Sequence, residues 1–103
     1  MILFPNKTSV IERDVLEVTV ILINKLGLHA RASAKFVSTA LRFQSQLMLI
    51  KDNQSINGKS IMAVMTLGAG CGTPLTLRID GPDEQALSEA LVSLINHRFG
   101  ESE

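Results

Sequence analysis

The segment TPLTLRID, residues 73–80, restricts the possible folds more than any other part of the sequence. Its apolar side chains, Leu75, Leu77 and Ile79, stand at every second position, and polar or charged residues fill the positions between them. A period of two is typical of a β-strand that buries one face and leaves the other in water. The chain must therefore build a sheet that other elements cover on one side only.

Strand-like and helix-like patterns follow one another along the rest of the chain. Further strand patterns occur at 16–23, at 45–51 and, more briefly, at 55–56. Apolar residues at helical spacing occur from Ala30 to about Phe43, from Ser60 to about Leu67, and after the start signal Gly81–Glu84. The resulting order, β-α-β-β-α-β-α, indicates an α+β fold in which helices lie on one face of a mostly antiparallel sheet.

The helical spacing also predicts which side chains face the sheet. In the first helix the predicted stripe consists of Ala30, Ala34, Val37 and Leu41, with Phe36, Ala40 and Phe43 beside it. In the last helix it consists of Leu87, Ala90, Leu91, Leu94 and Ile95. We expect Gly100 to stop that last helix.

Composition excludes several classes of protein. The 103 residues amount to one domain, 46% of them apolar, and residues 1–14 are interpreted as a flexible N-terminal extension of a domain at 15–103. Ten basic residues balance ten acidic ones and there is no Trp or Tyr, which argues against nucleic-acid binding. Cys71 is the only cysteine, so neither an internal disulfide nor a zinc site of several thiolates is expected, and we predict no metal or cofactor. No apolar run approaches the length of a membrane span and no secretory signal is evident, so a reducing cytoplasm is expected.

The stretch GLHARASAKF, residues 27–36, combines a histidine and an arginine at the start of a helix. Backbone N–H groups in a first helical turn, here those of Ala30, Arg31 and Ala32, lack helical partners and attract anions, phosphate above all. The Arg31 guanidinium would add a fixed positive charge. A neutral His29 imidazole has a free lone pair and can act as a nucleophile toward phosphorus. The alternative is that His29 is only a polar capping residue.

Two segments resemble a known family. NKLGLHARASAKFV (24–37) resembles the phosphorylation-site segment of HPr, the histidine-containing phosphocarrier of the phosphoenolpyruvate-dependent sugar phosphotransferase system, whose usual form is G-[LI]-H-x-R-P-A. Residues 57–94, from NGKSIMAVM onward, resemble the second half of HPr. The resemblance covers about residues 15–99 and implies an open-faced β-sandwich, a four-stranded antiparallel sheet covered on one face by three helices.

The resemblance implies a role for particular residues. His29 would accept a phosphoryl group on Nδ1 from phosphorylated Enzyme I and pass it to IIA-type proteins, while Arg31 neutralises the phosphate. Ser60 matches the site modified by HPr kinase/phosphorylase. The protein would be a monomeric carrier and not a stand-alone enzyme. The family proline is replaced by Ala32, which restores an N–H in the first helical turn, and we expect this to tune transfer without abolishing it.

Two of these assignments have structural alternatives. Ser60 is a good helix N-cap whether or not it is phosphorylated. Ile61, Met62 and Met65 either pack in the core or form a partner-docking patch beside His29, which Leu28 would extend, because methionine adapts to several partners.

Two other functions fit the same residues. One is a purely regulatory protein that signals through its phosphorylation state. The other is a small acylphosphatase-like hydrolase, for which only Ser33 and Asn24 are available to orient water. The sequence does not specify a sugar, nor does it distinguish a carbohydrate branch from a nitrogen-regulatory one.

Overall fold

A computed structural model describes residues 15–103, so the predicted extension at 1–14 lies outside the described residues. The strands are β1 (Leu16–Ile21), β2 (Gln46–Lys51), β3 (Gln54–Asn57) and β4 (Pro74–Asp80). The helices are α1 (Ala30–Ala40), α2 (Ile61–Thr66) and α3 (Glu84–Asn96), followed by a 3-10 turn at Arg98–Gly100. The predicted order β-α-β-β-α-β-α is confirmed.

The four strands form one antiparallel sheet in the order β1-β4-β2-β3. The alternating strand β4 lies between β1 and β2, and its Leu77 pairs with Val18 on one side and Leu49 on the other. Leu75, Leu77 and Ile79 are fully buried, as their alternation predicts. The helices cover this inner face and leave the other face uncovered, which is an open-faced β-sandwich.

The predicted core stripe of helix α1 is confirmed only in part. Phe36, Val37 and Ala40 are buried, as predicted. The helix also buries Ala32 and Ser33, whereas the predicted Ala30, Ala34 and Leu41 are exposed. A polar residue can occupy the buried face because the Ser33 hydroxyl donates a hydrogen bond to the Leu28 carbonyl at 3.0 Å. The predicted stripe consisted of apolar residues only, so it did not include Ser33.

Helix α3 confirms its predicted core stripe more closely but ends earlier than predicted. Leu87, Leu91 and Ile95 are buried, and Ala90 and Leu94 are half-buried. The helix ends at Asn96, and Arg98 and Phe99 then adopt left-handed backbone conformations. Gly100 therefore does not stop the helix. The chain turns back so that Phe99 enters the core.

Candidate functional site

The loop between β1 and α1 brings His29 to the helix start. Gly27 adopts a left-handed conformation (φ +61°) and lies so close to Ala69 that a Cβ would stand 2.4 Å from the Ala69 carbonyl oxygen. The next residue, Leu28, donates its N–H to that same carbonyl at 2.9 Å. The loop is thus fixed against the segment that follows α2, and this contact sets the position of His29.

Leu28 itself belongs to the core and not to a docking surface. Its side chain is only 4% exposed. The prediction that it extends the docking patch is wrong, because its N–H and side chain both turn inward when the loop packs against Ala69.

His29 is the N-cap of α1. Its backbone is extended (φ −72°, ψ −177°), and its Nδ1 accepts a hydrogen bond from the Arg31 N–H at 3.3 Å. The first intrahelical bond runs from the Ser33 N–H to the His29 carbonyl at 2.8 Å. The N–H groups of Ala30 and Ala32 therefore precede the helical hydrogen-bond ladder, in the place predicted for an anion. That of Arg31 is engaged with the ring.

An acidic residue that the sequence reasoning missed contacts the other edge of the ring. His29 Nε2 lies 2.5 Å from Glu101 Oε2, and the side chains are 27% and 16% exposed. Because a carboxylate oxygen accepts, Nε2 carries the hydrogen, and Nδ1 retains its lone pair. Glu101 lies 72 residues further along the chain. The signal that could have indicated this return was Phe99, a large apolar side chain beyond the last helix that needed burial.

Asn24 holds Glu101 in place from the loop side. Its fully buried side-chain amide donates to Glu101 Oε1 at 3.0 Å and to the Gly27 carbonyl at 2.9 Å. This Asn24 amide, together with the His29 ring and the Arg31 charge, lowers the pKa of Glu101 below its ordinary value, although partial burial opposes the effect. The carboxylate is therefore ionised across the neutral pH range.

The ring and the guanidinium line one open depression of about 560 Å³. Its walls come from the site loop, the start of α1 and the C-terminal tail: Lys25, Leu26, His29, Ala30, Arg31, Glu101, Ser102 and Glu103. Arg31 and the start of α1 face this opening, whereas the second cation, Lys25, pairs with Glu103, and Glu101 contacts the ring. The arrangement suits a doubly charged anionic group that arrives from outside, as phosphate does.

Ser60 is confirmed as the N-cap of α2. Its Oγ accepts the Ala63 N–H at 3.3 Å, and its backbone is extended. The side chains of Ile61, Met62 and Met65 are exposed, so the reading as plain core packing is wrong for these three residues. The buried residue of α2 is Val64. Helix α2 lies beside α1 and thus on the same side of the molecule as His29.

The residues that a hydrolase would need are otherwise engaged. Ser33 is buried and bonded to Leu28, and Asn24 is buried and bonded to Gly27 and Glu101. Neither reaches the opening to orient a water molecule. Within residues 15–103 no cluster of His, Cys, Asp or Glu is suited to hold a metal ion. Among the helices of that range, none has the length and apolarity to cross a membrane.

Comparison with known proteins agrees with this architecture. Residues 16–97 match the family described as the PTS HPr component phosphorylation site. The chain is 54% identical over 82 residues to phosphocarrier protein HPr of Cupriavidus necator, covering 80% of this chain and 92% of that protein. It is 54% identical over 89 residues to HPr of Pseudomonas aeruginosa, covering 85% and 97%. The crystal structure of HPr-C-His from Thermoanaerobacter tengcongensis superposes with a TM-score of 0.83 at 48% identity, over 85% of this chain and 99% of that one.

Fold and sequence together define a class of small carrier proteins that are not themselves catalysts. The chain belongs to the HPr family, the phosphocarriers of the phosphotransferase system.

Proposed function

We propose that His29 is the phosphoryl acceptor of this phosphocarrier, taking the group from phosphorylated Enzyme I and passing it to IIA-type proteins. The observation that carries the proposal is the placement of Nδ1 at the N-terminus of α1, 3.3 Å from the Arg31 N–H. A phosphoryl group bonded to Nδ1 would lie among the first-turn N–H groups, with the Arg31 guanidinium beside it. Catalysis of such transfers rests mainly on positioning and charge neutralisation.

The exposed α2 surface would dock the partners. We define this docking patch by Ile61, Met62 and Met65, which are exposed on the helix that packs against α1, at whose start His29 lies. Exposed apolar side chains that are grouped together mark protein–protein contact sites more often than scattered ones do. Complexes with donor and acceptors would be small in area and short-lived, since a carrier must leave each partner. We expect a monomer that works in the cytoplasm.

Intact-mass spectrometry tests the acceptor assignment. The protein is incubated with phosphoenolpyruvate and Enzyme I from the same organism, beside His29→Ala and His97→Ala variants. We expect one acid-labile phosphoryl group on the wild type and on His97→Ala, and none on His29→Ala. Because the chain has only these two histidines, the pair of variants assigns the site. Absence of the group from the wild type, with an Enzyme I shown to be active, would reject the carrier role.

Phosphorylation of Ser60 is a second proposal, favoured by its position as N-cap directly beside the docking patch. A phosphate there adds about −1.5 to −2 charges next to Ile61 and Met62. Such charge would repel an acidic partner and reduce docking. In a purely regulatory protein, the alternative function, incubation with HPr kinase/phosphorylase would modify Ser60 while His29 showed no turnover with Enzyme I.

A further inference from the structure

The C-terminal tail is held onto the site by contacts from three sides. Phe99 is buried, and its carbonyl accepts a hydrogen bond from Lys35 Nζ of α1 at 2.6 Å. Two residues later, Glu101 is fixed by the buried Asn24 amide. At the chain end, the Lys25 N–H donates to the Glu103 carbonyl at 2.6 Å. These anchors leave the Glu101 carboxylate little freedom to move away from the ring.

We propose that Glu101 is a positioning residue for His29 in phosphoryl transfer. Its carboxylate keeps the hydrogen on Nε2, so that Nδ1 presents its lone pair toward the start of α1. The carboxylate also stabilises the positive charge that the ring acquires when Nδ1 bonds to phosphorus. This inference rests on the proposed function, in which His29 is the acceptor.

The transfer step balances without movement of a proton. The Nδ1 lone pair forms the bond to phosphorus while the bond between phosphorus and the donor breaks, and that electron pair returns to the donor. Nε2 keeps its hydrogen, so the ring becomes cationic beside the Glu101 carboxylate. On donation, the pair of the P–N bond returns to Nδ1 and the ring is again neutral. A carboxylate plays the same orienting part toward histidine in serine hydrolases, where it need not take the proton.

The location of the carboxylate explains why it does not oppose the incoming phosphate. Glu101 contacts Nε2, whereas the phosphoryl group would bind Nδ1 on the other edge of the ring. The charges nearest the phosphate would be the helix start and Arg31. A partly buried pair is screened less by salt than an exposed one, so the attraction between ring and carboxylate keeps much of its strength.

Three variants of the full chain separate the proposal from its alternatives. Glu101→Ala removes both the hydrogen bond and the charge, and Glu101→Gln keeps an acceptor but removes the charge. Glu103→Gln removes one charge from the same tail, where the exposed Glu103 side chain pairs with Lys25, whereas the carboxylate paired with the ring is that of Glu101. Proton NMR of the unphosphorylated protein detects the hydrogen bond between His29 Nε2–H and Glu101 as a downfield Nε2–H signal that is protected from exchange with solvent. Rapid-quench kinetics with phosphorylated Enzyme I measures the rate of phosphoryl transfer to His29.

We expect the Nε2–H signal in the wild type, in Glu103→Gln and in Glu101→Gln, and its loss in Glu101→Ala. The transfer rate should fall about tenfold or more in Glu101→Ala. It should fall by a smaller factor in Glu101→Gln and stay within about twofold in Glu103→Gln. Loss of the signal with an unchanged rate would overturn the proposal, as would an equal fall in rate in Glu103→Gln. Failure of the proposed function itself is distinguishable, because the wild type would then gain no phosphoryl group while its Nε2–H signal persisted.

Discussion

Gly27 is the single residue that decides how closely the site loop approaches the rest of the molecule. Its φ of +61° is one that residues with a Cβ rarely adopt, and the space beside its Cα is filled by the backbone of Ala69 and Gly70. A side chain at this position would force the loop outward. His29, two residues further on, would then lose the contact of its loop with Ala69.

Gly27→Ala should therefore destabilise the fold in two ways, through a strained left-handed backbone and through a collision of the new Cβ with the Ala69–Gly70 backbone. Gly68 provides the matched control, because its φ is +63° and nothing lies within 4 Å of the position of its Cβ. We expect Gly68→Ala to cost about 1–2 kcal/mol of unfolding free energy through the left-handed conformation. Gly27→Ala should cost about 1–3 kcal/mol more because of the collision. Urea denaturation measures both, and equal losses would contradict the steric argument.

At the scale of elements, Asp83 joins the start of α3 to the start of β2. Its carboxylate accepts hydrogen bonds from the N–H groups of Gln44 and Ser45 at 2.9 Å each, and from the Ser45 hydroxyl at 2.5 Å. The Ser45 hydroxyl, followed by these N–H groups, lowers the pKa of Asp83 below its ordinary value. The carboxylate thus acts across two elements and makes no side-chain cap within its own helix.

This lowered pKa gives the stability a defined pH dependence. A carboxyl with a lower pKa in the folded state stabilises the fold above its unfolded pKa of about 3.9, and the contribution is lost as the pH falls through the folded value. We expect the difference in unfolding free energy between wild type and Asp83→Asn to stay constant above about pH 5 and to shrink below about pH 4. Ser45→Ala should reduce that pH dependence in part. Denaturation at a series of pH values measures it, and parallel curves for wild type and Asp83→Asn would contradict the assignment.

Substitutions at Ser60 separate the effect of the helix N-cap on stability from the effect of negative charge on docking at α2. Ser60→Ala removes the N-cap bond and should cost about 1 kcal/mol, with the transfer rate unchanged. Ser60→Asp keeps a capping oxygen, so its stability should stay within about 0.5 kcal/mol of wild type. Its charge beside Ile61 and Met62 should nevertheless lower the rate of transfer from Enzyme I. If both variants left that rate unchanged, charge at this helix start would have no influence on docking.

The elements show what a sequence pattern can and cannot predict. Strand β4 was predictable because its apolar and polar residues alternate, and this alternation directly indicates a strand that is buried on one face. The buried face of α1 was predictable only in part. Phe36, Val37 and Ala40 follow the apolar spacing, but Ser33 is polar and is buried because its hydroxyl donates a hydrogen bond to the Leu28 carbonyl. Likewise the end of α3 depends on Phe99, whose burial outweighs a left-handed backbone at φ 54°. Tertiary contacts determine which polar residue is buried and where a helix ends, and the local spacing of residues carries no information about these contacts.

At the scale of the whole molecule, the site joins two parts of the chain that local patterns keep separate. Residues 27–36 made His29 and Arg31 candidates, and the resemblance of residues 24–37 and 57–94 to HPr gave them their predicted roles. Glu101 was missed because only the complete fold returns the C-terminus to the β1–α1 loop. The same fold gives the molecule two unlike surfaces: the side of α1 and α2, which carries the site, and the uncovered face of the sheet.

These two surfaces should respond differently to the same substitution. Met62, in the docking patch, is 71% exposed, and Met48, on the uncovered sheet face, is 40% exposed. A glutamate at either position should change the unfolding free energy little, by about 0.5 kcal/mol, because neither side chain belongs to the core. If partners dock on α2, Met62→Glu should raise the KM of Enzyme I for this protein about tenfold, since a charge would lose its water in an apolar contact. Met48→Glu should leave that KM unchanged. Initial rates over a range of carrier concentrations give both values, and an equal rise in the two variants would move the docking surface away from α2.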